Sequence, residues 1–233
     1  AGVLAYSLSE ARSYRLRSVE VPILEPGSAP LLVLHLSDLH LTPRQSGKAE
    51  WVHQLAGLQP DLVVGTGDFI SHPDSVYAIT AALGPLLDIP GVFVLGSNDY
   101  YAPKIGNPFQ YLTGPSKYDR GEPDLPWMEL KSALSSGGWI DLSNRRDSIK
   151  VDGRLIDIRG VDDPHIGRDQ YETIAGPFDP LADLSLGVAH APYVRVLDAM
   201  ADDGAQLIMA GHTHGGQVCV PGYGALVTNC DLD

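Results

Sequence analysis

Short apolar runs rich in β-branched residues alternate along this chain with longer segments of helical character. Leu31 to Leu36, Asp61 to Val64 and Val92 to Leu95 predict strands, and Lys48 to Leu58 and Ser75 to Leu87 predict the helices between them. Gln59-Pro60 ends the first helix, and Pro85 is expected to limit the second. Continuous apolar strands suit a sheet covered on both faces, and strand–helix alternation suits parallel pairing. Trp127 to Ser135 predicts a helix stopped by Gly137-Gly138. Ser148 to Val151 and Arg154 to Ile158 flank Asp152-Gly153, a hairpin signal because both turn residues tolerate positive φ. A strand at Leu184 to Ala189, a helix at Val194 to Ala201 and strands at Gln206 to Ala210 and Gln217 to Val220 complete the pattern. Residues 102–126, with prolines at 103, 108, 115, 123 and 126, interrupt it as a long surface loop, the kind that shapes specificity. One α/β domain with two sheets is the reading for residues 1–233.

Composition narrows the class. A chain of 233 residues with 44% apolar and 19% charged positions is a soluble globular one, and no apolar run approaches the ~18 residues of a membrane span. The start, Ala1-Gly2-Val3-Leu4, is not an intact secretory signal, although it is compatible with the remnant of a removed leader or anchor. A formal charge of −13 argues against non-specific nucleic-acid binding, which needs a basic face, and less so if bound metal neutralises part of it. Cys219 and Cys230 are too few for a disulfide framework and form no CxxC pair. Both read as free thiols of a reducing, cytoplasmic compartment, with a disulfide across a hairpin left open.

The residues that carry chemistry stand directly after the apolar runs. Ser37-Asp38-Leu39-His40, Gly67-Asp68, Gly96-Ser97-Asn98-Asp99, His190-Ala191-Pro192 and Gly211-His212-Thr213-His214-Gly215-Gly216 lie at five strand ends. Packing alone does not explain five such clusters. In open α/β sheets the carboxyl ends of strands are where ligands collect, so the five read as one convergent site. A carboxylate can bridge two divalent cations while imidazole and amide groups complete their shells.

These blocks, in this order and spacing over residues 31 to about 220, resemble the calcineurin-like metallophosphoesterases, in particular a bacterial subgroup of predicted phosphohydrolases. Asp-x-His or Gly-Asp pieces are weak alone; all five ending in GHTHGG are specific. The resemblance implies a four-layer α-β-β-α sandwich with mixed sheets and two divalent ions, drawn from Mn, Fe, Zn or Mg with Mn or Fe favoured. It implies that Asp38, His40 and His214 hold one ion, that Asp68 bridges, and that Asn98, His190 and His212 hold the other. A hydroxide bridging the ions would attack a phosphate monoester, diester or pyrophosphate. The substrate would be small and phosphorylated, lipid-linked ones included, with nucleic acid disfavoured. Peripheral association with the inner face of a membrane stays open, as does the oligomeric state.

One block departs from the family pattern, Gly-Asn-His-Asp or Gly-Asn-His-Glu, whose His serves near the leaving group. A gapless match sets Ser97 at the Asn and Asn98 at the His. Serine is a poor ligand beside a free amide, so a one-residue shift is expected, with Asn98 on the metal and Asp99 where the His would lie. Asp99 could then act as general acid if its pKa is raised, with metal coordination of the leaving oxygen as the alternative. The expected catalytic residues are thus Asp99, Asn98 and His190. The chain also stops at Asp233, where family members commonly continue with further strands. The rival functions are a metal-binding scaffold without catalysis and a cyclic nucleotide phosphodiesterase.

The remaining polar residues carry blander expectations. His35, inside the first strand, reads as a core residue, and His53 as a surface or packing one. His72 and His165 sit in loops that could overhang the site. Asp162-Asp163 reads as solvated surface that could border the cleft, and Tyr100 and Tyr101 divide evenly between pocket and packing.

Overall fold

The computed structural model describes residues 13–103, 121–215, 217–220, 224–227 and 229–231, with backbone alone for 217–220 and 224–227. Four parallel strands form the first sheet in the order β1 (Val33–Leu36), β2 (Leu62–Gly65), β3 (Gly91–Phe93) and β4 (Ile140–Asp141). The second sheet is mixed: β5 (Arg145–Val151) runs antiparallel to β6 (Arg154–Gly160), followed in parallel by β7 (Leu184–Val188) and β8 (Leu207–Met209). A separate antiparallel pair joins β9 (Gln217–Val220) to β10 (Gly224–Val227). The helices are α1 (Ser46–Gln54), α2 (Val76–Leu87), the single turn α3 (Ser97–Tyr100), α4 (Trp127–Ser136) and α5 (Val194–Asp202).

Alternation along the strands separates the layers, because successive side chains of a strand leave opposite faces. Val63 and Phe93 join Val52, Ile79, Leu83, Leu130 and Leu134 under α1, α2 and α4. Their neighbours Leu62, Val64 and Val92 turn the other way and meet Ile156, Ile158, Leu184, Leu186 and Val188 of the second sheet. Beyond that sheet, Ile208 packs with Val196 and Met200 of α5. Helices, sheet, sheet and helix make the expected four-layer α-β-β-α sandwich.

Most expected elements stand within a few residues of their places, and the hairpin turn has φ of 49° at Asp152 and 78° at Gly153. Two differences have local causes. The first helix begins at Ser46, and its expected last turn, Leu55–Leu58, tightens into a 3₁₀ turn closed by Gln59 at φ 52°. The second helix ends at Leu87 as expected, with Pro85 inside its last turn. A proline deprives the carbonyl four residues earlier of its donor, and His53 Nδ1 lies 3.3 Å from that carbonyl, on Ala81. Strand β4 and the turn α3 were too short to show a period.

Of the long loop, residues 104–120 lie outside the described residues. Its described ends are tied down by Ala102 N, which donates to Asp124 Oδ1 at 2.7 Å, and by the buried Leu125. Among the described residues no helix is long and apolar enough to cross a membrane.

Candidate metal centre

Parallel pairing brings the ends of β1, β2, β3, β7 and β8 to one side of the sandwich, and the loops leaving them are laced together. Asp38 N donates to the Gly67 carbonyl (3.0 Å), His40 N to the Asp68 carbonyl (2.8 Å) and Gly211 N to the His190 carbonyl (2.8 Å). The backbone there is strained. Nine non-glycine residues among those described have positive φ, and five are expected ligands: Asp38 (54°), His40 (43°), Asp68 (55°), His212 (68°) and His214 (52°). Left-handed backbone costs an L-residue roughly 1–2 kcal/mol, and it persists where the surroundings enforce it, typically at functional sites. Two glycines make the crowding tolerable for want of a side chain. A Cβ on Gly96 would lie 2.7 Å from His190 Nδ1, and one on Gly211 would lie 2.6 Å from Asp38 Oδ2.

Two groups of donors result. In the first, His214 Nε2 is 3.3 Å from Asp38 Oδ1, and His40 Nε2 is 3.3 Å from His214 Nε2 and 4.0 Å from Asp38 Oδ1. Asp38 Oδ1 is buried and accepts no hydrogen bond. Ligand atoms each about 2.1 Å from a shared cation lie roughly 3–3.5 Å apart, so this orphaned oxygen and its two imidazoles fit a divalent ion. In the second group, Asp38 and Asp68 converge with His190, whose Nε2 is 3.6 Å from Asp68 Oδ2. Asp68 Oδ2 is also 3.5 Å from His40 Nε2. One carboxylate therefore faces imidazoles from both groups, as a bridge requires.

The outer nitrogens of the histidines are fixed. His190 Nδ1 donates to the Thr66 carbonyl at 2.7 Å, and His40 Nδ1 is 3.0 Å from Ser71 Oγ. Such partners turn the opposite ring nitrogen, as a lone pair, toward a metal. His212 Nδ1 lies 3.2 Å from His190 Nε2, while its Nε2 is 3.1 Å from the Asn229 carbonyl oxygen.

Around the altered third block, Asn98 Nδ2 and Asn98 N donate to Asp68 Oδ2 and Oδ1, both at 2.7 Å. A half-turn of this amide would turn its oxygen, in place of its N–H, toward Asp68. Ser97 is fully buried. Asp99 has another task than the one expected. Its carboxylate accepts from the backbone N–H groups of Asp68 (2.8 Å), Phe69 (2.8 Å), Ile70 (3.1 Å) and Gly96 (3.0 Å), and it is fully buried. Burial and the Asp68 carboxylate push it up to about 8. The pKa condition for a general acid is met, but access is not, because both oxygens are enclosed by main chain. Asp99 ties the Asp68 loop to the Asn98 loop.

Other charges respond to the same burial. Burial opposes a charge on His190, yet the carboxylates of Asp68, Asp163 and Asp38 outweigh it and hold the ring at about 9. His212 is driven down to about 4 by burial and by His190. Burial pushes Asp163 up to about 7, with Asp68 adding and His190 opposing.

Several contributors escaped the sequence reading. Asp162 and Asp163 are buried rather than solvated: Asp162 accepts the Tyr100 hydroxyl (2.9 Å) and pairs with Arg168 (3.1 Å), and Asp163 Oδ1 accepts His165 N (2.8 Å). The apolar Val161 before them and Pro164 after them were the available signal. His165 is buried with its ring centroid 4.3 Å from that of His212, while His72 is exposed and its ring accepts Asp74 N. His35 is exposed rather than in the core, and it bonds Thr66 Oγ1 at 2.8 Å. Tyr100 is packed against Trp127. Thr66 and Asn229 act through backbone carbonyls, which no residue type announces.

A family model described as calcineurin-like phosphoesterase matches residues 31–216. The chain belongs to that family. Metallophosphoesterase YkuE of Bacillus subtilis is 31% identical over 173 residues, covering 73% of this chain and 52% of its own length. A bovine protein described as a transmembrane protein with metallophosphoesterase domain is 28% identical over 221 residues, covering 91% of this chain and 47% of its own. The chain thus spans about half the length of these relatives. Among solved structures, the purple acid phosphatase PPD1 of yellow lupin aligns with 82% of this chain and 39% of its own, at 17% identity and a TM-score of 0.49.

Two outcomes are expected of this calcineurin-like centre. His214→Gly relieves about 1–2 kcal/mol of backbone strain and adds about 0.5–1 kcal/mol of chain entropy. The metal-free variant should therefore melt at or slightly above the parent temperature while binding Mn²⁺ more weakly, and a clear drop in melting temperature would contradict the strain argument. The second concerns pH. His190, raised from 6.5 to about 9, stabilises the metal-free fold fully below pH 6.5 and loses that contribution as pH rises through 9. Asp163 and Asp99, raised to about 7 and about 8, likewise favour the fold only while protonated. His212 acts the other way, but its contribution is complete by its ordinary value of 6.5. Melts of metal-free protein should fall from pH 6.5 to 9, and fall less with saturating Mn²⁺, which binds deprotonated ligands. A metal-free melting temperature that climbs over this interval would refute the assignment.

Proposed function

We propose that this chain is a metal-dependent phosphoesterase, hydrolysing a phosphate mono- or diester or a pyrophosphate bond by direct attack of hydroxide without a covalent enzyme intermediate. The observation that carries the reading is the buried, unpartnered Asp38 Oδ1 facing the His214 and His40 nitrogens on strained backbone. A carboxylate oxygen and two imidazole nitrogens converging in this way are the donor set of a divalent cation. Asp38, His40 and His214 would hold one ion, Asn98, His190 and His212 the other, with Asp68 between them. When bound, two divalent ions supply a nucleophilic hydroxide at neutral pH and positive charge for the phosphoryl oxygens.

The chain's own residues limit the route. Ser37 Oγ donates to Asp38 Oδ2, Ser71 Oγ is engaged with His40, and Ser97 is fully buried. None of these hydroxyls is presented as a nucleophile, which supports direct attack. With only Asp38 and Asp68 as carboxylates in the shells, two divalent ions and a hydroxide leave a small positive charge, suited to an anionic substrate. Small phosphorylated molecules fit that charge, those attached to lipid included. The altered third block favours one rival, a metal-binding scaffold.

Hydrolysis of paired aryl phosphate mono- and diesters by metal-stripped protein, with and without Mn²⁺, separates them. Turnover is expected only with metal and should be lost in Asp68→Asn; no turnover on either substrate by protein carrying two ions would favour the scaffold. A further outcome concerns Asn98 and Asp99. An amide is no acid, and the Asp99 carboxylate is enclosed, so the leaving group lacks the factor of about 10²–10⁴ that a positioned acid contributes. Aryl phosphates should therefore outpace alkyl phosphates by about that factor in kcat/KM. Equal rates on both would overturn this.

A further inference from the structure

The segment Asn229–Asp231 stands well past the last sequence motif, yet it reaches the centre at two points. The Asn229 carbonyl oxygen lies 3.1 Å from His212 Nε2, and its side-chain Nδ2 is 3.3 Å from the same nitrogen. A carbonyl oxygen only accepts and an amide nitrogen only donates, so the shorter contact, to the carbonyl, puts the proton on His212 Nε2 and leaves Nδ1 as the lone pair beside His190 Nε2, and the Nδ2 approach is then no hydrogen bond. Asp231 Oδ1 accepts from Val194 N, the first residue of α5, at 2.9 Å. The preceding Tyr193 carries its hydroxyl to His165 Nδ1 (3.0 Å), and the His165 ring lies beside that of His212, centroids 4.3 Å apart and tilted by 44°. One nitrogen of the His212 imidazole is thus held by this segment directly, and the ring packed beside it is held through the start of α5, which the segment caps.

We propose that Asn229–Asp231 is a positioning element of the centre. The Asn229 carbonyl sets the tautomer of His212, and Asp231, seated at the start of α5, holds that carbonyl in place. The ion held by His190 and His212 then binds fully only when the segment is docked. This rests on the two-ion reading above.

Asn229 is itself left-handed, at φ 59°, which permits a test on the backbone alone. Glycine adopts that φ and keeps the carbonyl where it is, whereas proline is confined to about −65° and swings it away. Both substitutions remove the side-chain amide, so their difference isolates the carbonyl. Mn²⁺ stoichiometry and affinity would be measured calorimetrically on metal-stripped full chain, with a melt of each metal-free variant. The parent and Asn229→Gly should take up two ions. Asn229→Pro should keep the first and bind the second about 10–100-fold more weakly, the usual loss when a ligand's outer partner is removed. Asp231→Ala should weaken the second ion alone, by a smaller factor, and it decides the matter if Asn229→Pro does not fold. A second ion bound with parental affinity by Asn229→Pro or, should that variant not fold, by Asp231→Ala overturns the inference. So does an Asn229→Gly protein as impaired as Asn229→Pro. A parent that takes up fewer than two ions would overturn the two-ion reading, and this inference with it.

Discussion

The centre depends on holding two carboxylates and four imidazoles close together. Asp68 is almost completely buried, His190 completely so, and Asp38 Oδ1 has no hydrogen-bond donor. Charges kept from water demand compensation. The neighbouring carboxylates hold His190 at about 9, and Asn98 directs its amide N–H groups onto Asp68. These groups supply positive charge and hydrogen-bond donors to the buried carboxylates. The four layers surrounding the site serve the same constraint, because parallel strands from two sheets must end side by side before loops so distant in sequence can meet.

Strain and charge act in the same direction. Five candidate ligands sit in left-handed backbone that asparagine or glycine would occupy at lower cost. Selection for stability alone would not put aspartate and histidine there. The loops are kept in this shape by a main-chain network in which Asp99 is central, with four amide groups on one carboxylate. Metal binding and local folding are therefore linked: an ion relieves the repulsion that the loops enforce, and the loops hold donors that a relaxed chain would scatter.

Much of this was legible in the sequence, for a physical reason. Runs such as Leu62-Val63-Val64 are apolar on both faces, so a covered parallel sheet can be inferred, and polar clusters at its carboxyl edge point to a site. Asp38, His40, Asp68, His190, His212 and His214 were nameable because ligand chemistry permits few residue types. What stayed hidden acts by other means. Thr66 and Asn229 contribute carbonyl oxygens, common to every residue. Asp162 and Asp163 look like surface charge until the Tyr100 hydroxyl and the His165 amide are seen beside them.

The third block shows how a correct premise can lead to the wrong role. An acidic residue with raised pKa at the place of the family's histidine suggested a proton donor, and burial does raise Asp99 to about 8. Yet the burial that raises it also encloses it. A general acid must reach the leaving oxygen within hydrogen-bond distance, and a carboxylate whose two oxygens accept four backbone N–H groups cannot turn outward without breaking the loop it holds. Asn98, half-buried and hydrogen-bonded to Asp68, is the other polar residue of that block beside the centre. The departure from the family pattern thus replaces an imidazole with an amide and an enclosed carboxylate, neither of which is placed to give up a proton.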